Sequence, residues 1–190
     1  MKNEFLIIEK NSKLSLEASG YFMIFHVFLF FFQIDEMANN FGKGLRVTGL
    51  NPMDRICIFA ETKADWLVCA LGCFKQTFPL VTLYANLGDD AIAHGVNETE
   101  VTHVITTHEL LPKFKNVLAQ TPTVKHIIFL EDQVNPTDKT GYRPDVNIHA
   151  FQEIIEMGRT TTVNYPVRRP TQDDPGTVNV FLIRPKNTVD

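Results

Sequence analysis

Two rhythms of apolar and polar residues alternate along this chain. In "RICIFA" (Arg55 to Ala60), "FPLVTLY", "VTHVITT" and "VKHIIFL" (Val124 to Leu130) apolar residues run almost without interruption. Short near-continuous runs of this kind predict strands near 55–60, 79–84, 101–106 and 124–130, buried on both faces. Between them the period lengthens. Ile34, Met37, Ala38, Phe41 and Leu45 fall at helical spacing and end towards Gly49. Trp66, Leu67, Cys69, Ala70, Cys73 and Phe74 form a second stripe, with Thr62 and Asp65 placed as a capping box. "DDAIAHGVNETE" opens on two acids that suit a helix dipole, and "HELLPKFKNVLAQ" follows Thr106 and Glu109 as cap residues, with Pro112 in its first turn. Residues 131–147 read as a loop, "IHAFQEIIEMG" as a short amphipathic helix, and the rest as an irregular tail.

Strand and helix in strict alternation predict an α/β protein with a parallel sheet flanked by helices. The expected core includes Ile56, Ile58, Trp66, Phe74, Leu80, Val81, Val104, Ile105, Ile127 and Ile128. At 190 residues the chain is long enough for one domain with a real core. A formal net charge of −4 and scattered basic residues, with Arg168-Arg169 set between prolines, give no footprint for nucleic acid.

One segment departs from this regularity. "YFMIFHVFLFFF", Tyr21 to Phe32, is apolar except for His26. As a helix it would cover about 18 Å against a hydrocarbon core of about 30 Å, too short to span a bilayer unaided. No small-residue cleavage site follows it. Tyr21, Phe22, Phe25, Phe28 and Phe32 could form an exposed membrane-associating patch. "FLFFFQ" also translates a polypyrimidine tract ending as a splice acceptor does, so residues 1–33 are also readable as wholly or partly intron-derived, or as an alternative first exon. Regular sequence then begins near Ile34.

Chemistry is sparse. Cys57, Cys69 and Cys73 make an odd set without a disulfide framework, and the last two share a helix face, as small buried hydrophobes do. The Gly-x-Gly of "FGKGL" (Phe41 to Leu45) lies inside a helical pattern and before any strand, which is not the context of a phosphate loop. His26, His94, His103, His108, His126 and His149 show no metal-ligand spacing; His103 and His108 span a strand end and a helix start. No serine lies beyond Ser19, so a serine nucleophile is excluded from the regular part of the chain. Glu61, Asp65, Glu98 and Glu109 fall at helix ends, where capping explains them. No catalytic, cofactor-binding or metal residue is assigned.

The order of segments nevertheless carries a resemblance. "NNFGKGL", "IFAETKADW", "CFKQTFPLVTLYANLG", "HGVNETE" and "VKHIIF" resemble, in order and spacing, the N-terminal subdomain of AMP-forming long-chain fatty acid–CoA ligases. They look most like the animal arachidonate-preferring branch. The match covers roughly 34–174, about three quarters of the chain. It implies an incomplete adenylate-forming fold, with 1–33 an atypical Phe-rich segment and 175–190 a divergent tail. It also implies a family reaction in which fatty acid and ATP give an acyl-adenylate that CoA then captures. ATP, Mg²⁺ and CoA are the family's ligands; location at the cytosolic face of the endoplasmic reticulum follows by the same resemblance. The family's Ser/Thr/Gly-rich phosphate loop would follow an "RPT" segment. Here "RPTQDD" (Arg169 to Asp174) is followed by "PGTVNVFLIRPKNTVD", in which "RPK" (Arg184 to Lys186) only echoes that loop's end. The resemblance therefore brings no catalytic residue with it and no cofactor expected to bind this chain. The expectation is an inactive ligase fragment; the alternatives are a non-catalytic interaction or membrane-associating module, and an unrelated α/β nucleotide-binding protein.

Overall fold

The four apolar runs become the centre of a sheet. The computed structural model of the protein describes residues 28–132, 136–168, 171 and 173–179. Strands β1 (Ile56–Phe59), β2 (Leu80–Leu83), β3 (His103–Thr107) and β4 (His126–Leu130) coincide with the predicted ones, joined by β5 (Asn147–Ala150) and β6 (Thr177–Asn179). All five pairings are parallel, in the order β5-β4-β3-β1-β2-β6. The chain leaves β1 to one side for β2 and then crosses to its other side for β3, so a topological switch point lies between β1 and β3.

Helix α1 occupies 28–47, α2 Ala64–Lys75, α3 Asp89–Thr99, a 3-10 turn Leu111–Lys113, α4 Phe114–Val117 and α5 Phe151–Thr160. One face of the sheet (Cys57, Phe59, Val81, Val104, Ile127, Phe129) packs with Ile92 and Val96 of α3 and with Phe114 and Val117 of α4. The other face carries Ile58, Ile105 and Ile128, on the side where α1 reaches His103 through Thr48.

Helix α1 is held between α2 and α5 by backbone contact. A β-carbon on Gly42 would lie 2.6 Å from the Gly72 carbonyl oxygen of α2. One on Gly44 would overlap the Ile154 carbonyl, and one on Gly158 the Asn40 carbonyl. Only hydrogen fits at such crossings. Phe41 and Phe151 meet beside them at 5.2 Å between ring centres. The Gly-x-Gly of "FGKGL" is thus explained by packing. Both α1 and α2 end in the same hydrogen-bond pair. Leu50 N–H reaches Leu45 and Gly49 N–H reaches Arg46; Phe78 N–H reaches Cys73 and Thr77 N–H reaches Phe74. The left-handed residue is Gly49 in one (φ 103°) and Thr77 in the other (φ 57°).

Several local expectations are corrected. Helix α2 is rotated from the predicted stripe: Val68, Cys69, Ala70, Gly72 and Cys73 are buried, Trp66 and Phe74 are half-buried, and Leu67 is exposed. Its cap is Lys63, which makes no side-chain cap bond, rather than Thr62 with Asp65. Thr106 lies within β3 and caps nothing. "HELLPKFKNVLAQ" is a turn, a 3-10 turn and a single α-turn, which together bury Leu111, Phe114, Val117 and Leu118. Ile148 to Ala150 belong to β5, not to the helix, since Asn147 N–H bonds to Lys125 O and the strand pairs with β4. Strand β6 falls in the stretch read as irregular tail. Tyr21, Phe22, Phe25 and "RPK" lie outside the described residues.

Candidate functional site

In an open parallel sheet, ligands meet the carboxyl ends of the strands at the switch point. Here those ends are closed by side chains that satisfy one another. Lys63, just after β1, bonds Glu109, just after β3, at 3.0 Å. The Glu109 carboxyl is held below the usual range by its own backbone N–H, then by Lys63 and the Thr107 hydroxyl. Lys113 donates to the Leu87 carbonyl and lies over the Phe59 ring. Beyond β4, a cavity of about 260 Å³ is lined by Glu131, Asp132 and Glu153 over Phe129, with Lys139 bonded to Glu153 and lying over the Phe129 ring. Lysines engaged in this way stabilise loops and are not poised on an anion. The exposed pairs among them contribute little energy each.

A second cavity, about 360 Å³, opens at the amino ends of β1 and β3, between Met53, Asp54, Arg55, Thr99, Glu100 and Thr102. Its arginine donates to the Thr99 carbonyl. Met53 (φ 72°) and Glu100 (φ 51°) take left-handed conformations at its rim.

The thiols are structural. Cys57, Cys69 and Cys73 are free and buried, and burial pushes each one's pKa far up, away from the reactive thiolate. Glu61 and Glu98 are exposed, and Asp65 sits in the first turn of α2, where the helix dipole accounts for it. His94 and Glu98 stand 4.0 Å apart on α3, and His108 shares a 2.7 Å hydrogen bond with Thr137. Among the described residues no three His, Cys, Asp or Glu side chains are placed to hold a metal ion.

What the sequence reading missed is a stack of imidazoles. His103 of β3 and His126 of β4 are register partners with rings parallel and centres 4.4 Å apart. His149 of β5 continues the stack at 5.4 Å, its Nε2 lying 3.2 Å from Nδ1 of His126. His103 is buried, and its protonation state can be deduced. The Thr48 hydroxyl gives its proton to the Leu45 carbonyl. It must therefore accept from Nε2–H of His103, 3.1 Å away, and a neutral ring then accepts at Nδ1 from the Thr102 hydroxyl at 2.8 Å. The ring is neutral. Burial, then His126 and His149, hold its pKa down at about 3. The one signal in sequence was that His103 and His126 each begin an apolar run. Without β5 that signal could not be assembled.

Comparison with known proteins supplies what the geometry does not. A family model described as AMP-binding enzyme matches residues 24–178. The chain is 33% identical over 134 residues to long chain acyl-CoA synthetase 8 of Arabidopsis thaliana, covering 69% of this chain and 18% of that protein. It is 30% identical over 159 residues to long-chain-fatty-acid–CoA ligase 4 of Saccharomyces cerevisiae, covering 74% of this chain and 23% of that one. It spans about a fifth of the length of these relatives. Among solved structures, the anthranilate CoA ligase AuaEII in complex with anthranoyl-AMP has the same fold over 76% of this chain and 25% of its own. The TM-score there is 0.63 at 19% identity.

Proposed function

The chain belongs to the family of AMP-binding enzymes, and from that premise we propose that it is an N-terminal portion of a long-chain fatty acid–CoA ligase. The observation that carries this reading is the 30–33% identity to long-chain ligases across the residues that build the sheet. The reaction is activation of a fatty acid by ATP, with release of pyrophosphate, followed by transfer of the acyl group to CoA. In this reading residues 34–174, with β6 paired onto β2, form a wall of the large domain. The described residues offer no three-ligand metal set, and the sequence has no Ser/Thr/Gly-rich loop after a strand. The phosphates, their Mg²⁺ and CoA are accordingly assigned to other parts of the enzyme, and the 190 residues alone to an inactive state. By resemblance of its tokens, the substrate class is arachidonate-like.

The test is a chimera in which residues 34–174 replace the matching segment of the yeast ligase. It should form long-chain acyl-CoA, with arachidonate preferred over oleate, while the isolated chain releases no pyrophosphate from ATP. A soluble, folded but inactive chimera would overturn the assignment. Pyrophosphate release by the isolated chain would show a site within it.

A second reading, a membrane-associating module, is favoured by one observation. Phe28, Phe30, Phe31 and Phe32, on helical residues 28–36, are 66%, 58%, 64% and 60% exposed. No described helix is long and apolar enough to cross a membrane. Sinking such rings into a lipid interface contributes of order 2 kcal/mol each, and a cytosolic-face endoplasmic reticulum location belongs to this proposal. Because the flanking charges are Asp35 and Glu36, co-flotation of the chain with neutral phosphatidylcholine vesicles should occur and persist at high salt. Loss of flotation in high salt, or no flotation, would refute it.

A further inference from the structure

We propose that the His103–His126–His149 stack is an acid-operated latch that holds β5 and α5 to the sheet when neutral and releases them when it takes up protons. The stack bridges three neighbouring strands and ends at the sheet's edge, since β5 has no partner beyond it among the described residues. Between His126 and His149 the facing nitrogens share one N–H. A first proton, taken by the donor ring of that pair, leaves the bond intact but puts a positive charge in a stack whose rings lie 4.4 Å and 5.4 Å apart. A second proton places two N–H donors face to face, and the side-chain bond from β4 to β5 is lost. His103 does not relieve the stack, because it is buried among Thr48, Thr102 and the other rings, where a charged imidazole is disfavoured.

The surroundings decide the sign. The turn after α1 presents the Thr48 hydroxyl to the stack and β1 presents Ile56, the register partner of His103; neither carries charge. Helix α5 presents Glu153, which favours a charged His149, and the loop before β5 presents Lys139, which opposes it. Since Lys139 and Glu153 are themselves bonded at 2.8 Å, they largely offset each other. Burial then dominates: all three imidazoles bind protons less readily than in an unfolded chain. The latch is fully closed above the ordinary histidine pKa near 6.5 and weakens as pH falls below it. The same Glu153 accepts the Ala150 N–H at the start of α5, so strand and helix leave together.

The experiment is amide hydrogen exchange on the full chain at pH 7.5 and pH 5, corrected for intrinsic rates. Residues 147–160 should lose protection severalfold at pH 5, as His126 and His149 take up protons in the opened form, while β1 and β2 keep theirs. His149→Gln, a half-buried position that can still hydrogen-bond neutrally, should reduce the acid response of 147–160 severalfold. The same measurement on His126→Gln, which removes the other ring of the β4–β5 bond, should reduce it likewise, and if that variant does not fold, His149→Gln decides. Equal loss of protection in β1, β2 and β5, or an acid response in His149→Gln equal to that of the natural chain, would overturn the latch.

Discussion

Gly158→Ala should lower the unfolding free energy by about 3 kcal/mol or more, the largest loss expected from adding a single carbon to this chain. Gly158 is in the interior of α5, where alanine alone would be favoured over glycine by about 1 kcal/mol. Sterics oppose that gain. The added carbon would lie inside the Asn40 carbonyl of α1 and 2.7 Å from the Gly44 nitrogen, and both are backbone atoms that cannot rotate away. α5 would have to lift, separating Phe151 from Phe41 and uncovering Ile154. The measurement is urea unfolding, with Gly88→Ala as control. Gly88 has open space around its β-position and an ordinary extended conformation, so its substitution should change stability by less than about 0.5 kcal/mol. If Gly158→Ala proved neutral or stabilising, the close crossing of α1 and α5 would be wrong.

Arg143→Met should cost about 3 kcal/mol, and Arg143→Lys more than half of that. The guanidinium collects the carbonyls of a whole corner. Nη1 donates to Leu118 at 2.7 Å and Thr121 at 3.0 Å, Nη2 to Val124 at 2.6 Å, and Nε pairs with Asp145. These are the carbonyls left over where α4 ends and the chain turns into β4. Val124 and Thr121 are buried, so water cannot replace every lost donor. Methionine keeps the stem and removes the fork, and lysine keeps the charge but cannot span three carbonyls. Thermal melting with far-UV circular dichroism reads the loss. An Arg143→Lys variant as stable as the natural chain would show that charge, not geometry, is what Arg143 supplies.

How far such features were legible depends on whether they are local. Strands β1 to β4 could be read because each is a nearly unbroken apolar run, the pattern demanded of a strand covered on both faces. β5 could not. Its Ile148 and Ala150 share spacing with Phe151, Ile154 and Ile155, so the strand merges into the helix that follows, and only pairing with β4 separates them. β6 is three residues long and exists through its partner β2. The rotation of α2 was hidden for a related reason: Gly72, invisible as a hydrophobe, is the residue that turns towards α1, carrying Trp66 and Phe74 outwards. As for the site, sequence pointed correctly to a family, because that depends on the order of tokens. The imidazole stack depends on register between three strands, which no single stretch encodes.

The pairing of β2 with β6 also sets a timetable. β6 arrives about ninety residues after β2, long after β1, β3 and β4 have found their places. At a ribosome adding roughly 5–20 residues per second, the outer edge of β2 waits some 5–20 seconds for its neighbour. Through that interval the nascent sheet ends on a strand with unfilled backbone donors and acceptors. For this protein an exposed interval of folding falls within synthesis itself, and β6 is the strand that closes it.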